Sequence, residues 1–149
     1  MKVLFIGGTG VISSECSKLC VEKGMELFLL NRGKSFRTPP TKANIINADI
    51  RDVTAVQSAV KEQKFDVVVD WIAFNEEHVQ NGFDIFKDKT EQYVFISSAS
   101  VYQKPIPKLP ITEDTPLANP FWAYSRAKID CENFLMRMHK ENDFPVTIV

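Results

Sequence analysis

The chain has 149 residues, 44% hydrophobic and 25% charged. That is enough for one domain with a real core, and it excludes a disordered or fibrous polypeptide. Lys and Arg number 18 against 19 Asp and Glu, for a net charge of −1; this excludes the broad basic surface of a non-specific nucleic-acid binder, though not a local patch. No apolar run approaches the roughly 20 residues of a membrane span, and Met1–Ile6 is too short for a signal peptide before Gly7-Gly8 interrupts it. The cysteines number 3 and form no Cys-x-x-Cys pair. They argue against a disulfide framework or a metal site, and for a reducing, cytoplasmic setting. Cys16, Cys20 and Cys131 read as small buried side chains; a reactive or metal-binding thiol is the competing reading.

In chain order, Val3–Ile6 reads as a strand and Val11 to about Lys23 as a helix with Ile12, Cys16, Leu19 and Cys20 on one face. Gly24 is placed to end that helix. Strands follow over Glu26–Leu30 and Asn44–Ala48, then a helix from Val53 to Lys61 with Val53, Val56 and Val60 inward. Phe65–Asp70 is a strand whose unbroken valines predict burial on both faces, as in a parallel sheet. A helix over Glu76–Phe86, a strand over Tyr93–Ile96, a long helix over Phe121–His139 and a strand from Pro145 complete the pattern. Strands alternating with helices predict right-handed βαβ units, hence an α/β, doubly wound parallel sheet. Between Gln103 and Pro120 the rhythm fails, and 5 of the 8 prolines lie there. A long loop after a strand end is placed for a ligand, with a mere connector as the bland alternative.

Gly7-Gly8-Thr9-Gly10-Val11-Ile12-Ser13 joins the first strand to the first helix. Glycines permit a tight turn and close approach of backbone to a pyrophosphate, which the helix N-terminus then holds. A purely structural turn is the alternative. A dinucleotide-binding sheet senses the adenosine ribose at the end of its second strand, with an acid for the 2′-hydroxyl. Here that place holds Asn31-Arg32-Gly33-Lys34 and no acid, which leans towards NADP over NAD; a solvated basic turn is the alternative. After the third strand, Asp49 is placed to accept from an adenine amino group, or else Asp49 or Asp52 caps the next helix.

Tyr124 and Lys128 stand at i and i+4 of the long helix, so they share a face. A nearby ammonium favours the phenolate and lowers a tyrosine pKa from its usual value near 10. Ile96-Ser97-Ser98-Ala99-Ser100-Val101-Tyr102 ends the fifth strand with hydroxyls where a ligand crevice opens. One of them could hydrogen-bond a substrate oxygen while Tyr124 moves a proton.

Together these segments resemble the extended short-chain dehydrogenase/reductases, the NAD-dependent epimerase/dehydratase family, over essentially the whole chain. The resemblance rests on the glycine turn (Gly7, Gly10, Ser13), Asp49, Ser-Ser-x-x-Val-Tyr, the loop Glu113-Asp114-Thr115-Pro116, and Tyr-x-x-x-Lys. It implies a Rossmann-type domain in which Ser98 is the catalytic serine, Tyr124 the acid/base, and Lys128 its partner and ribose ligand. It also implies that Gly7, Thr9, Gly10, Val11 and Ile12 line the pyrophosphate turn, that Asn31 and Arg32 meet the adenosine ribose, and that Asp49 and Ile50 flank adenine. Ala73 matches a small position of the family. Ser13 in place of the third glycine, Trp71-Ile72-Ala73-Phe74 after the fourth strand, and Gln103 after Val-Tyr depart from the pattern. They resemble an atypical branch that includes chloroplast stem-loop RNA-binding proteins.

The implied activity is hydride transfer with NAD(P) on a sugar nucleotide or related hydroxyl substrate, by an epimerase, dehydratase or reductase; fold alone does not separate these. The competing reading is a non-catalytic nucleotide-binding or RNA-binding protein on the same fold. Nucleic acid is the disfavoured partner, no membrane partner is expected, and a homodimer stays open. His78 and His139 have no partner in motif spacing and read as surface or packing residues. The family runs to about twice this length, so residues 1–149 are expected to be the N-terminal NAD(P)-binding part, ending inside a sixth strand and poorly active alone.

Overall fold

The computed structural model describes every residue, Met1–Val149. Strand β1 (Lys2–Ile6) leads to helix α1 (Val11–Glu22), then β2 (Glu26–Asn31), β3 (Asn44–Asn47), α2 (Val53–Ala59) and β4 (Phe65–Asp70). Helix α3 (Glu76–Phe86), β5 (Thr90–Phe95), a 3-10 turn (Ala99–Val101), α4 (Ala123–Asn142) and β6 (Val146–Ile148) follow. All neighbouring strands pair in parallel, in the order β3-β2-β1-β4-β5-β6. The order reverses between β1 and β4, and an open α/β sheet binds ligands at the carboxyl ends of the strands at that switch point. The predicted doubly wound parallel sheet is present, with strand and helix bounds shifted by a few residues at most.

Successive residues of β1 serve opposite faces. Leu4 and Ile6 join the larger core with Val68 and Phe95, beneath Val56 of α2, Val79 and Phe83 of α3, and Phe134 and Leu135 of α4. Val3 and Phe5 join the smaller core with Leu27, Leu29 and Val69, on the side of α1. Leu4, Ile6, Leu27 and Leu29 are fully shielded from solvent, each a burial of about 1.5–3 kcal/mol.

Helix α1 overturns one expectation. Its buried residues are Ser13 and Ser17; Cys16 and Cys20 pack half-buried against the smaller core as expected, but Ile12 and Leu19 are 71% and 52% exposed. The reason is the closeness of the helix to the turn before it. Ser17 Oγ donates to the Gly8 carbonyl at 2.8 Å, and a Cβ on Gly8 would lie 2.5 Å from Leu29 Cδ2. Only small side chains fit where a helix approaches that near. The cysteines differ among themselves: Cys131 is buried, whereas Cys16 and Cys20 are half-buried.

The proline-rich loop is pinned at its base. Tyr102 bridges Leu117, and the N–H groups of Gln103 and Lys104 donate to Pro116 and Ala118 carbonyls at 2.8 and 2.9 Å. Asn119 then sits buried at the entry to α4.

Candidate active site

A cleft of about 620 Å³ opens over the carboxyl ends of β1, β2 and β4, within the range of small-molecule sites. Its floor is the glycine turn. Gly7 and Gly8 have φ of +104° and +88°, a region that L side chains rarely adopt. Gly7 N–H donates to the Leu30 carbonyl at 2.9 Å, which holds the turn against β2. The departure at Ser13 has a local explanation: Ser13 Oγ accepts from the Gly10 N–H at 2.9 Å and caps the start of α1 from within. The helix N-terminus beyond it, with Val11 and Ile12 exposed on the cleft, offers the free N–H groups that bind anions.

The β2 side carries the basic groups. Asn31, Arg32, Lys34 and Ser35 all line the cleft. Asn31 Oδ1 accepts from the Gly33 N–H at 2.9 Å, and Ser35 Oγ donates to the Thr9 carbonyl at 3.2 Å, which draws this loop towards the glycine turn. Asp52 takes the capping role that the spacing left open to either aspartate. Asp52 caps α2, accepting from the Ala55 N–H at 3.0 Å, whereas Asp49 lines the cleft and faces Arg32 at 3.6 Å. Ile50 is buried at the same wall. Two buried nitrogens, Asn31 Nδ2 and Trp71 Nε1, have no partner in the protein, and both residues line the cleft. Buried polar groups are rarely left so. With the glycine cradle and the helix N-terminus, they fit a ligand rich in acceptor oxygens.

Lys128 stands behind Ile96 and Phe74, which line the cleft, whereas Lys128, Tyr124 and Ser98 do not. Lys128 is 2% exposed, and its Nζ donates to the Ala73 and Ile96 carbonyls, each at 2.7 Å. The ammonium therefore ties the end of β5 to the loop after β4. Nζ also lies 4.4 Å from the Phe95 ring centroid, 5.4 Å from that of Phe74 and 5.9 Å from that of Tyr124. Burial lowers its pKa below the usual lysine value. Ala73 itself is fully buried and does not line the cleft; what it contributes is its carbonyl.

Tyr124 is half-buried on the first turn of α4, with its ring 6.4 Å from Phe74 and 4.9 Å from Trp122. Phe121 and Trp122 themselves are exposed. The two serines at the end of β5 point to different partners. Ser97 Oγ donates to Glu132, a buried carboxylate whose pKa burial raises. Ser98 caps the 3-10 turn, accepting from the Ser100 N–H at 3.3 Å, with the Ser100 hydroxyl 2.8 Å away. Cys131, one turn beyond Lys128, has its thiol pushed up to about 12 by burial, so it stays neutral.

Two supports of the site escaped the sequence reading. Asp70 ends β4, fully buried, and one oxygen accepts from both the Ile72 and Ala73 N–H groups at 2.9 Å. The other accepts from Tyr93 Oη at 2.8 Å. Asp70 thus shapes the loop that presents the Ala73 carbonyl to Lys128. Burial raises its pKa against the pull of these donors. The second support is His78, whose Nδ1 accepts from the Phe74 N–H at 3.1 Å and faces an Arg51 nitrogen at 3.0 Å. Arg51 also donates to the Ile72 carbonyl at 2.9 Å, spanning from the β3 side to the β4 side. Burial, then the Arg51 charge, lowers the His78 pKa. Trp71 both packs edge-on against Phe5, at 5.4 Å between centroids, and lines the cleft.

Residues 3–88 and 83–149 match the model of the family described as NAD dependent epimerase/dehydratase family. The chain is similar to the UDP-glucose 4-epimerase of Lactobacillus helveticus, 32% identical over 99% of this chain and 50% of that protein. It is also similar to the chloroplast stem-loop binding protein of 41 kDa b of Arabidopsis thaliana, 32% identical over 69% of this chain and 30% of that protein. Among solved structures, the UDP-Glc/GlcNAc 4-epimerase of Campylobacter jejuni superposes with a TM-score of 0.84 at 20% identity, over 99% of this chain and 52% of that one. The dTDP-glucose 4,6-dehydratase of Bacillus anthracis, in complex with NAD, gives 0.84 at 19% identity, over 99% and 53%. At such identity the structural likeness shows the fold. The chain spans about half the length, or less, of the curated relatives it matches.

Proposed function

The chain belongs to the NAD-dependent epimerase/dehydratase family, and from that premise we propose that it forms the NAD(P)-binding, catalytic half of an enzyme acting on a sugar nucleotide or related hydroxyl substrate. The observation that carries this reading is the seat of Lys128. A desolvated ammonium, fixed by two carbonyls, stands one helical turn from Tyr124 and holds the carbonyl of Ile96, a residue of the glycine-floored cleft's wall. The names of the relatives, sugar-nucleotide epimerases and a dehydratase, support the substrate class.

A bound nicotinamide dinucleotide would supply hydride chemistry. Gly7, Thr9, Gly10, Val11 and Ile12 would hold the pyrophosphate at the helix N-terminus. Asp49 and Ile50 would flank the adenine, and Lys128 would bind the ribose. Tyr124 takes the proton of the substrate hydroxyl and returns it in the reverse direction. Ser98 donates to the reacting oxygen as charge develops there. Ser97 is already committed to Glu132, which supports assigning that donor to Ser98.

NADP is the cofactor this reading favours. No acid stands at the end of β2, and Arg32, Lys34 and Ser35 face the cleft there. The Arg32–Asp49 pair is exposed and held at 3.6 Å, so the guanidinium is free to take a phosphate instead. Fluorescence titration of the protein with NADPH and NADH tests both points. Binding of NADPH tighter than NADH, with the difference lost in Arg32→Ala, is expected. No binding of either dinucleotide would refute the enzyme reading.

The similarity to a chloroplast stem-loop binding protein favours a second reading, in which the same fold binds RNA without turnover. RNA binding that survives physiological salt, in a protein that binds no dinucleotide, would establish it.

A further inference from the structure

We infer that Ser100, Ser125 and Asn119 form an oriented hydroxyl relay that fixes Ser98 as a hydrogen-bond donor to substrate. The inference rests on the catalytic reading of Ser98 above, and names residues that act through it. Asn119 sets the direction. Its Oδ1 accepts from the Phe121 N–H at 3.1 Å, and its Nδ2 donates to the Ser100 carbonyl at 2.8 Å. Turning the amide over would place donor against donor and acceptor against acceptor, so only one orientation satisfies both.

The second proton on Nδ2 faces Ser125 Oγ at 3.4 Å, inside the protein, where Ser125 is fully buried and Asn119 nearly so. An amide nitrogen only donates, so the Ser125 oxygen accepts there. Its single proton goes to Ser100 Oγ at 2.9 Å. Ser100 Oγ is then an acceptor on that side and has its own proton for Ser98 Oγ at 2.8 Å. Either hydroxyl could donate across that gap, but the Ser100 proton has no other acceptor within reach, so Ser98 Oγ accepts it, together with the Ser100 N–H at 3.3 Å. A hydroxyl has two acceptor positions and one donor position. Both acceptor positions of Ser98 are filled from within, and what it has left to offer a ligand is its proton.

A free serine hydroxyl turns among three staggered positions and both gives and takes hydrogen bonds. The relay removes that freedom, and each bond in such a chain polarises the next. Ser98 is thereby matched to an oxygen gaining negative charge and mismatched to a group that must donate. Ser100, Ser125 and Asn119 are positioning residues, since none of them need touch the substrate.

The test uses two independent measurements on the full-length protein. Proton NMR of the ligand-free protein should show Ser125 and Ser100 hydroxyl protons in slow exchange, with the Ser125 resonance moved by Ser100→Ala. Absence of any slowly exchanging serine hydroxyl would overturn the relay whether or not the protein is active. With NADP⁺ or NAD⁺ and UDP-glucose as probes, Ser100→Ala should lower kcat by about 3- to 10-fold, the loss of one fixed rotamer in three and of its polarisation. KM and the dinucleotide Kd should stay unchanged, and Ser100→Thr, which keeps the hydroxyl, should recover the rate. Ser98→Ala should lose far more, about 100-fold or greater, and Ser98→Ala/Ser100→Ala should be no slower than Ser98→Ala alone. Effects that multiply in the double variant would overturn the relay, because residues acting through one another are not additive. A protein with the protected hydroxyls but no hydride transfer by wild type would sink the catalytic reading and leave the hydroxyl orientation standing.

Discussion

Removing one oxygen from the core, by Tyr93→Phe, isolates the support beneath Lys128. Tyr93 is fully buried, and its hydroxyl donates to the buried Asp70 carboxylate at 2.8 Å. The phenyl ring fills the same space, so no cavity term enters. A hydrogen bond to a charged group contributes about 1.5–3 kcal/mol, and one between neutral groups about 0.5–1.5 kcal/mol. Which value applies depends on Asp70, whose pKa burial raises in the folded state. In the window between the ordinary carboxylate value and that raised one, the folded protein holds a proton that the unfolded chain has lost. Stability therefore falls as pH rises through the window. Tyr93 opposes this, because its hydroxyl favours the charged carboxylate. The variant should lose about 1 kcal/mol where Asp70 is protonated and about 2–3 kcal/mol above its raised pKa, the latter a drop of about 4–12 °C in Tm for a chain of this size. Urea unfolding across a pH series, followed by circular dichroism, measures both. A wild-type stability that does not fall with pH above the ordinary carboxylate range, with a loss in the variant that is the same at every pH, would refute the assignment of Asp70 as the acceptor that matters.

Gly82→Ala should destabilise by about 1–3 kcal/mol or more, because its Cβ would fall 2.3 Å from Tyr93 Oη and the ring is pinned between Asp70 and Phe144. Combined with Tyr93→Phe the loss should be smaller than the sum, as the clashing oxygen is gone; chemical denaturation of the four proteins measures it. Asp52→Ala should cost about 1 kcal/mol, read as a lower urea midpoint, since it leaves the Ala55 N–H uncapped. Tyr124→Phe should leave dinucleotide binding intact within about twofold in fluorescence titration while abolishing turnover, the signature of an interaction made only in the transition state. Unchanged turnover in that variant would remove Tyr124 from the chemistry.

The parallel sheet was legible because each of its strands is a short apolar run bounded by polar or glycine residues, and a strand buried on both faces leaves that mark. Val67-Val68-Val69 is the clearest instance. The glycine turn was legible for a different reason: its residues are consecutive. The face of α1 was misread because apolar periodicity reports burial only where area drives packing. Between Gly8 and Ser17 the separation is too small for Leu or Ile, and size decides instead. Asp70–Tyr93 and Arg51–His78 could not be read from spacing, since their partners lie 23 and 27 residues apart. One signal was available for the first pair. An aspartate directly after Val67-Val68-Val69 in a buried strand must find a donor somewhere. The tyrosine in the neighbouring strand was the nearest candidate.

The reversal of polarity on α1 has a bearing on how this protein tolerates change. Ordinarily an exposed helical position accepts charge, and a buried one accepts any apolar side chain of similar volume. On α1 a library sorted by polarity would go wrong at five positions, because Ser13 and Ser17 are buried while Val11, Ile12 and Leu19 are exposed. Val11 and Ile12 lie on the cleft, so making them polar would spare the fold and still alter what the cleft holds. At Ser13 and Ser17 the acceptable alphabet is set by atom count, and the same helix keeps its two kinds of constraint on separate faces.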